Sequence, residues 1–170
     1  MRVFDVEVDR LEYDFNYNTV ETDELHQKLN GSTEVTINDL RRVSLWKSNR
    51  VLNVDSDTLA CLNQLGSVSS LTLESPLVKE VIERLVLSQG IGFPMASAVL
   101  KFIKPNLFPI IDVRAYRALT GKKPYYSSYT YDGYISYAVE LHRLAQILNR
   151  PLRDIDEQLY CFDKENNGKI

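Results

Sequence analysis

Asp112, Gly90 and Gly92 are the residues of this sequence whose types and spacing could do chemistry. Asp112 follows the apolar run Phe108-Pro109-Ile110-Ile111 and precedes VRAYRAL, so it stands where a helix would begin. A carboxylate at that position caps the helix by accepting one of its free amides. It is thereby held in place, able to stabilise a nearby positive centre or orient a water. Capping favours the ionised carboxylate, which suits a charge stabiliser better than an acid. Gly90-Ile91-Gly92 lies between two apolar segments, where glycines permit a turn that side chains would obstruct. Two helices meeting at such a turn expose the amides of the second, which with the helix dipole make a site for one phosphate. A plain helix-helix turn and a plain helix cap are the alternatives at these positions.

The elements that must position these residues are legible on either side. PLVKEVIERLV at 76–86 repeats apolar side chains every three to four residues and predicts a helix, with Ser75 as N-cap and Pro76 at the first position. Pro94 opens a second helix, MASAVLKFI, which is apolar on nearly every side and so belongs in the core. Lys104-Pro105 ends it, because a residue before proline is pushed out of the helical region. Residues 108–111 read as a buried extended connector, and Gly121 is placed to stop the helix that Asp112 begins.

Over residues 76–121 the chain resembles the helix-hairpin-helix DNA glycosylases, of which endonuclease III is a member. The shared features are Gly90-Ile91-Gly92, Ala96, Leu100 and Ile110-Ile111-Asp112, with Asp112 placed 22 residues after Gly90. The resemblance implies an all-α, helix-hairpin-helix DNA glycosylase-like domain and a catalytic role for Asp112 beside the sugar cation formed in glycosidic cleavage. It also implies phosphate binding at Gly90, Ile91 and Gly92, and a flipped target base. Bifunctional members carry a Schiff-base lysine two positions after the second glycine, where this chain has Pro94, so that lyase chemistry is not expected. Arg114 stands where relatives often have histidine. The family's four-cysteine iron-sulfur cluster cannot form from Cys61 and Cys161 alone. A monovalent cation on the hairpin carbonyls is the one cofactor the resemblance leaves open.

At 170 residues the chain is expected to form one domain, 1–170, with a real core. Cys61 and Cys161 are expected to be buried thiols, and His26 and His142 lack ligand-spaced neighbours, so no side-chain metal site is expected. No apolar run approaches a membrane span and the N-terminus shows no signal-peptide pattern, which gives a cytoplasmic expectation without a membrane partner.

The net charge of −3 hides an asymmetry. Acids outnumber bases over residues 1–40, whereas Lys101, Lys104, Arg114, Arg117, Lys122 and Lys123 face Asp112 alone over 101–123. A locally basic face of this kind could attract phosphates, the alternative being solvated helix faces. A second basic stretch, Arg41, Arg42, Lys47 and Arg50, surrounds the only tryptophan. It suits a nucleic-acid face, although a core Trp46 beside a solvated basic face is the favoured reading.

The remaining segments carry less. Residues 1–33 read as an acidic, weakly periodic arm, packed on the core or forming a short strand. Thr36 to Asp39 has capping-box form and opens a helix to about residue 48. Residues 56–65 form another helix, with Gly66 after it. A tyrosine-rich loop spans 122–133, in which Tyr125, Tyr126 and Tyr129 could stack on bases or seal a protein contact. Helices follow from about Tyr134 to Leu148 and from Pro151. The expected function is DNA binding with hydrolytic removal of a damaged or modified base; the alternatives are a non-catalytic nucleic-acid-binding module and a protein interaction domain. The oligomeric state is left open.

Overall fold

The computed structural model describes residues 2–14, 19–48, 54–125 and 129–170. Among them the fold is all-α, with eight helices: α1 (Thr19–Leu29), α2 (Ile37–Lys47), α3 (Ser56–Ser67), α4 (Pro76–Leu87), α5 (Phe93–Ile103), α6 (Val113–Thr120), α7 (Tyr131–Leu148) and α8 (Leu152–Asn167). The apolar α5 buries every residue from Met95 to Ile103 and packs against α1, α2 and α4. Helices α6 and α7 pack on α8, and α3 packs on α4.

A charged residue of α5 lies within this core. The Lys101 side chain is only 2% exposed, and its ammonium donates to Asp156 Oδ1 at 2.9 Å, Glu157 Oε1 at 2.7 Å and the Arg153 carbonyl at 2.9 Å. Burial works against its charge, but the two carboxylates outweigh burial and hold its pKa above the ordinary lysine value. Lys101 thus ties α5 to α8.

The sequence reading places most boundaries well and misses others for identifiable reasons. Thr36 and Asp39 form the expected capping box at α2. Ser75 precedes α4, but its hydroxyl accepts from the Thr72 amide at 3.1 Å rather than capping the helix. Helix α3 runs past Gly66, because a Cβ there would overlap the Ser32 carbonyl oxygen and only glycine lets the two segments approach so closely. Thr130 caps α7 by accepting from the Gly133 amide at 3.1 Å, so the helix starts at Tyr131 and takes in the end of the expected loop. Cys61 and Cys161 are half-exposed, not buried.

The acidic arm contains α1, whose buried apolar side chains among the described residues are Leu25 and Leu29, too sparse a stripe to read from sequence. Residues 2–14 pack on the core without forming a helix. The Phe4 amide donates to the Ala118 carbonyl at 2.7 Å and its ring meets Phe162 edge-on. Trp46 is a core residue, its Nε1 donating to Thr22 Oγ1 at 3.0 Å and its ring edge-on to Phe102.

Replacing Lys101 by Met would leave Asp156 and Glu157 as neighbouring carboxylates without their counter-charge. We expect the variant to lose about 3 kcal/mol or more of stability in urea unfolding, and a loss below about 1 kcal/mol would show that the cluster does not hold the core together.

Candidate functional site

Asp112 reaches its position through a connector held on three sides. The Ile110 amide donates to Asp156 Oδ2 at 2.7 Å and the Ile111 amide to Ser97 Oγ at 3.1 Å. From α7, the Tyr134 hydroxyl donates to the Pro109 carbonyl and the Tyr137 hydroxyl to the Ile110 carbonyl, each at 3.0 Å. Burial of both phenols raises their pKa well above the ordinary value, so they remain donors. An extended segment cannot satisfy its own backbone groups, and here α5, α7 and α8 satisfy them.

The connector delivers Asp112 as the N-cap of α6, where Oδ1 accepts from the Arg114 amide at 2.8 Å. Its Oδ2 lies 3.3 Å from the Lys47 ammonium at the end of α2, and both side chains are partly buried, 26% and 17% exposed. Lys47 was read as part of a solvated basic face, with a nucleic-acid face as the alternative; its pairing with Asp112 joins elements 65 residues apart and leaves no sequence signal.

Two hollows adjoin Lys47, and Asp112 lines one of them. A pocket of about 260 Å³ is lined by Trp46, Lys47, Ile110, Asp112, Glu157 and Tyr160, among others. A cleft of about 580 Å³ runs along the hairpin, lined by Lys47, Gly90, Ile91, Gly92, Pro94 and Tyr129 among others. Lys47 borders both. Gly90 turns the hairpin at φ +80°, a conformation that favours glycine. Gly92 is the N-cap of α5 with no side-chain cap, and Pro94 at the second position has no N–H, so the first turn offers the Phe93 and Met95 amides. Burial, then the charge of Asp112, raise the pKa of the half-buried Tyr129 hydroxyl, consistent with its place near the carboxylate.

No protein-family model matches this chain, and no curated protein or solved structure is similar to it at a significant level.

The expected basic face is corrected by the structure. Lys101 is buried as described, and Arg117 is 3% exposed with its guanidinium forked onto both oxygens of Asp163 at 2.6 Å each. Neither can meet a phosphate. Arg114 is tied to Asp163 and to the Gly168 carbonyl, and Lys104 donates to the Val68 carbonyl at 2.8 Å. The aspartates that neutralise this stretch come from α8, 46 to 55 residues further on, and so escape a local count of charge. Lys122, Lys123, Arg41 and Tyr125 are exposed, and Arg42 pairs with Glu24. Arg50 and Tyr126 lie outside the described residues. Among the described residues no cluster of three His, Cys, Asp or Glu side chains could hold a metal, and no helix is long and apolar enough to cross a membrane.

Glu157, Tyr160 and Trp46 line the pocket without having been singled out for it. Glu157 and Tyr160 stand one turn apart on α8, a spacing that puts them on one face but does not tell which face is open. Burial, partly offset by Lys101, pushes the Glu157 carboxyl up.

On the other side of Glu157 is a hollow of about 320 Å³ bordered by Thr22, Asp23, His26, Gln27, Arg153 and Asp154. His26 lies against Phe102, its buried Nδ1 has no hydrogen-bond partner, and burial followed by the charges of Lys101 and Arg153 lowers its pKa from 6.5 to about 4. The folded chain therefore resists a proton that the unfolded chain accepts, so stability is full above pH 6.5 and falls as pH drops from 6.5 towards 4. Thermal melts between pH 7 and 5 should show this loss, and His26→Gln should flatten it; unchanged slopes would mean that His26 titrates normally.

Proposed function

We propose that this chain is a helix-hairpin-helix DNA glycosylase-like protein that binds DNA along the hairpin cleft and hydrolyses the N-glycosidic bond of a flipped base. The observation that carries this reading is the position of Asp112. Its carboxylate is fixed by the α6 cap on the wall of a base-sized pocket, paired with Lys47, which also borders the hairpin cleft. A phosphate at the α5 N-terminus would bring the sugar to the carboxylate and the base into the pocket.

In this reading Asp112 acts by charge. As the base leaves, positive charge grows on the sugar, and a preorganised carboxylate stabilises it without reorganising. Lys47 borders both hollows, so its ammonium can leave Asp112 for a phosphate as the sugar cation takes its place. Pro94 stands where bifunctional relatives of the resembled family carry their lysine, which favours attack by water. The exposed Lys122, Lys123 and Arg41 and the half-buried Tyr129 are the remaining contacts this reading assigns to DNA.

A second reading is a module that binds nucleic acid or protein without catalysis. It draws on the charge balance, since α8 consumes Lys101, Arg114 and Arg117 and the chain keeps a net −3.

Asn is as good an N-cap as Asp, so Asp112→Asn keeps the α6 cap and removes only the charge. On duplex DNA treated with alkylating or oxidising agents, the native protein should generate alkali-labile abasic sites. The variant should lose about 100-fold or more of that rate while still binding. Equal rates in both proteins would remove Asp112 from the chemistry, and no base release from any treated duplex would favour the non-catalytic module.

A further inference from the structure

We infer that the pocket beside Asp112 selects guanine-type bases, reading their adjacent N1–H and N2–H donors with the carboxylate of Glu157. This deepens the proposed glycosylase reading and rests on it.

The inference follows from which polar groups on the pocket wall are already used. Lys101 has three N–H donors, and Arg153, Asp156 and Glu157 take all three. Asp156 accepts from Lys101 and the Glu157 amide on Oδ1 and from the Ile110 amide on Oδ2. Glu157 accepts from Lys101 on Oε1 only, and its Oε2 makes no hydrogen bond among the described residues. Its side chain is 20% exposed, whereas those of Lys101 and Asp156 are nearly closed off. Besides Asp112, the pocket wall therefore offers a base one under-used, acceptor-only group, Glu157, which also borders the hollow on its other side. Trp46 and Tyr160 supply ring surface beside it, and Ile110 an apolar wall. The pocket has room for about nine waters at their liquid volume, the scale of a single heterocycle.

An ionised carboxylate accepts hydrogen bonds and donates none. Guanine is the base whose pairing edge places two donors side by side, an arrangement that both oxygens of one carboxylate can accept. Adenine and cytosine set a ring-nitrogen lone pair beside their amine, which an ionised carboxylate repels. Uracil and thymine have a single N–H between two carbonyls. The substrate class is thus a guanine with its pairing edge intact, mispaired or modified elsewhere on the ring.

The test uses duplexes carrying, at one mispaired position, a cleavage-resistant 2′-fluoroarabino nucleotide with guanine, hypoxanthine or adenine as its base, and a fourth duplex with an abasic-site analogue. Hypoxanthine keeps N1–H but lacks the amine. Native protein should bind the guanine duplex about tenfold tighter than the hypoxanthine one and tighter still than the adenine one. The emission of Trp46, the only tryptophan, should change as the base enters. Glu157→Gln puts an amide donor against the guanine donors and should abolish the ranking of the three bases. Equal affinity of native protein for the three bases, with the abasic duplex bound tightly, would overturn the inference and leave the glycosylase reading standing. A ranking that survives Glu157→Gln would overturn the role of Glu157. Failure to bind the abasic duplex would overturn the reading beneath it. The native ranking decides the matter even if the variant does not fold.

Discussion

A buried ammonium organises this molecule. Lys101 sits at the centre of the most apolar helix, and a charge there is tolerable only with close, well-directed partners. Asp156 and Glu157 meet that need, and each has a second task. Asp156 turns its other oxygen to the Ile110 amide, holding the connector that ends at Asp112, while Glu157 faces a pocket. The same ion cluster that joins α5 to α8 therefore fixes the backbone ahead of the candidate catalytic carboxylate and furnishes the pocket wall next to it. Substitutions in the cluster should be felt in the fold and the site together.

The site is an assembly of distant pieces on rigid supports. Helix α2 brings Lys47, the α4–α5 hairpin brings unprotected amides, the connector brings Asp112, and α8 brings Glu157 and Tyr160. Three of the four are helix ends or segments pinned by buried hydrogen bonds, which preserves geometry better than free loops would. Placing a partly buried carboxylate in a pocket, against one cation that also borders the hairpin cleft, gives a charge that a substrate cation could claim. Under the proposed reading, that exchange is the core of the chemistry.

Much of the central helical frame could be read in advance because its signals are local. The hairpin glycines, the apolar α5, the connector and the capping role of Asp112 each depend on neighbours within a few residues. The same holds for the capping box at Thr36 and the left-handed glycine at 121 that ends α6. What escaped depends on pairing at a distance. Lys101, Arg114 and Arg117 look like a basic face when counted along the chain, but the aspartates that neutralise them arrive 46 to 55 residues later. Helix α1 was hidden because two leucines suffice once α5 is there to cover them. The Lys47–Asp112 pair and the pocket wall on α8 are products of packing, and no spacing in the sequence announces them.

The central claim is that the hairpin holds a phosphate and directs the attached sugar to Asp112. The most direct measurement is fluorescence anisotropy, across salt concentrations, with plain duplex DNA and with duplex carrying a cationic abasic-site analogue, for native protein and Gly92→Asp. The substitution suits the fold: Gly92 has an extended backbone, a Cβ there meets only Pro94 at 3.9 Å, and Asp is a favourable N-cap. It sets a negative charge where the phosphate would lie. The account predicts tighter, salt-sensitive binding to the analogue by the native protein and a loss of about tenfold or more in the variant. Absence of binding to either duplex by the folded native protein would contradict it.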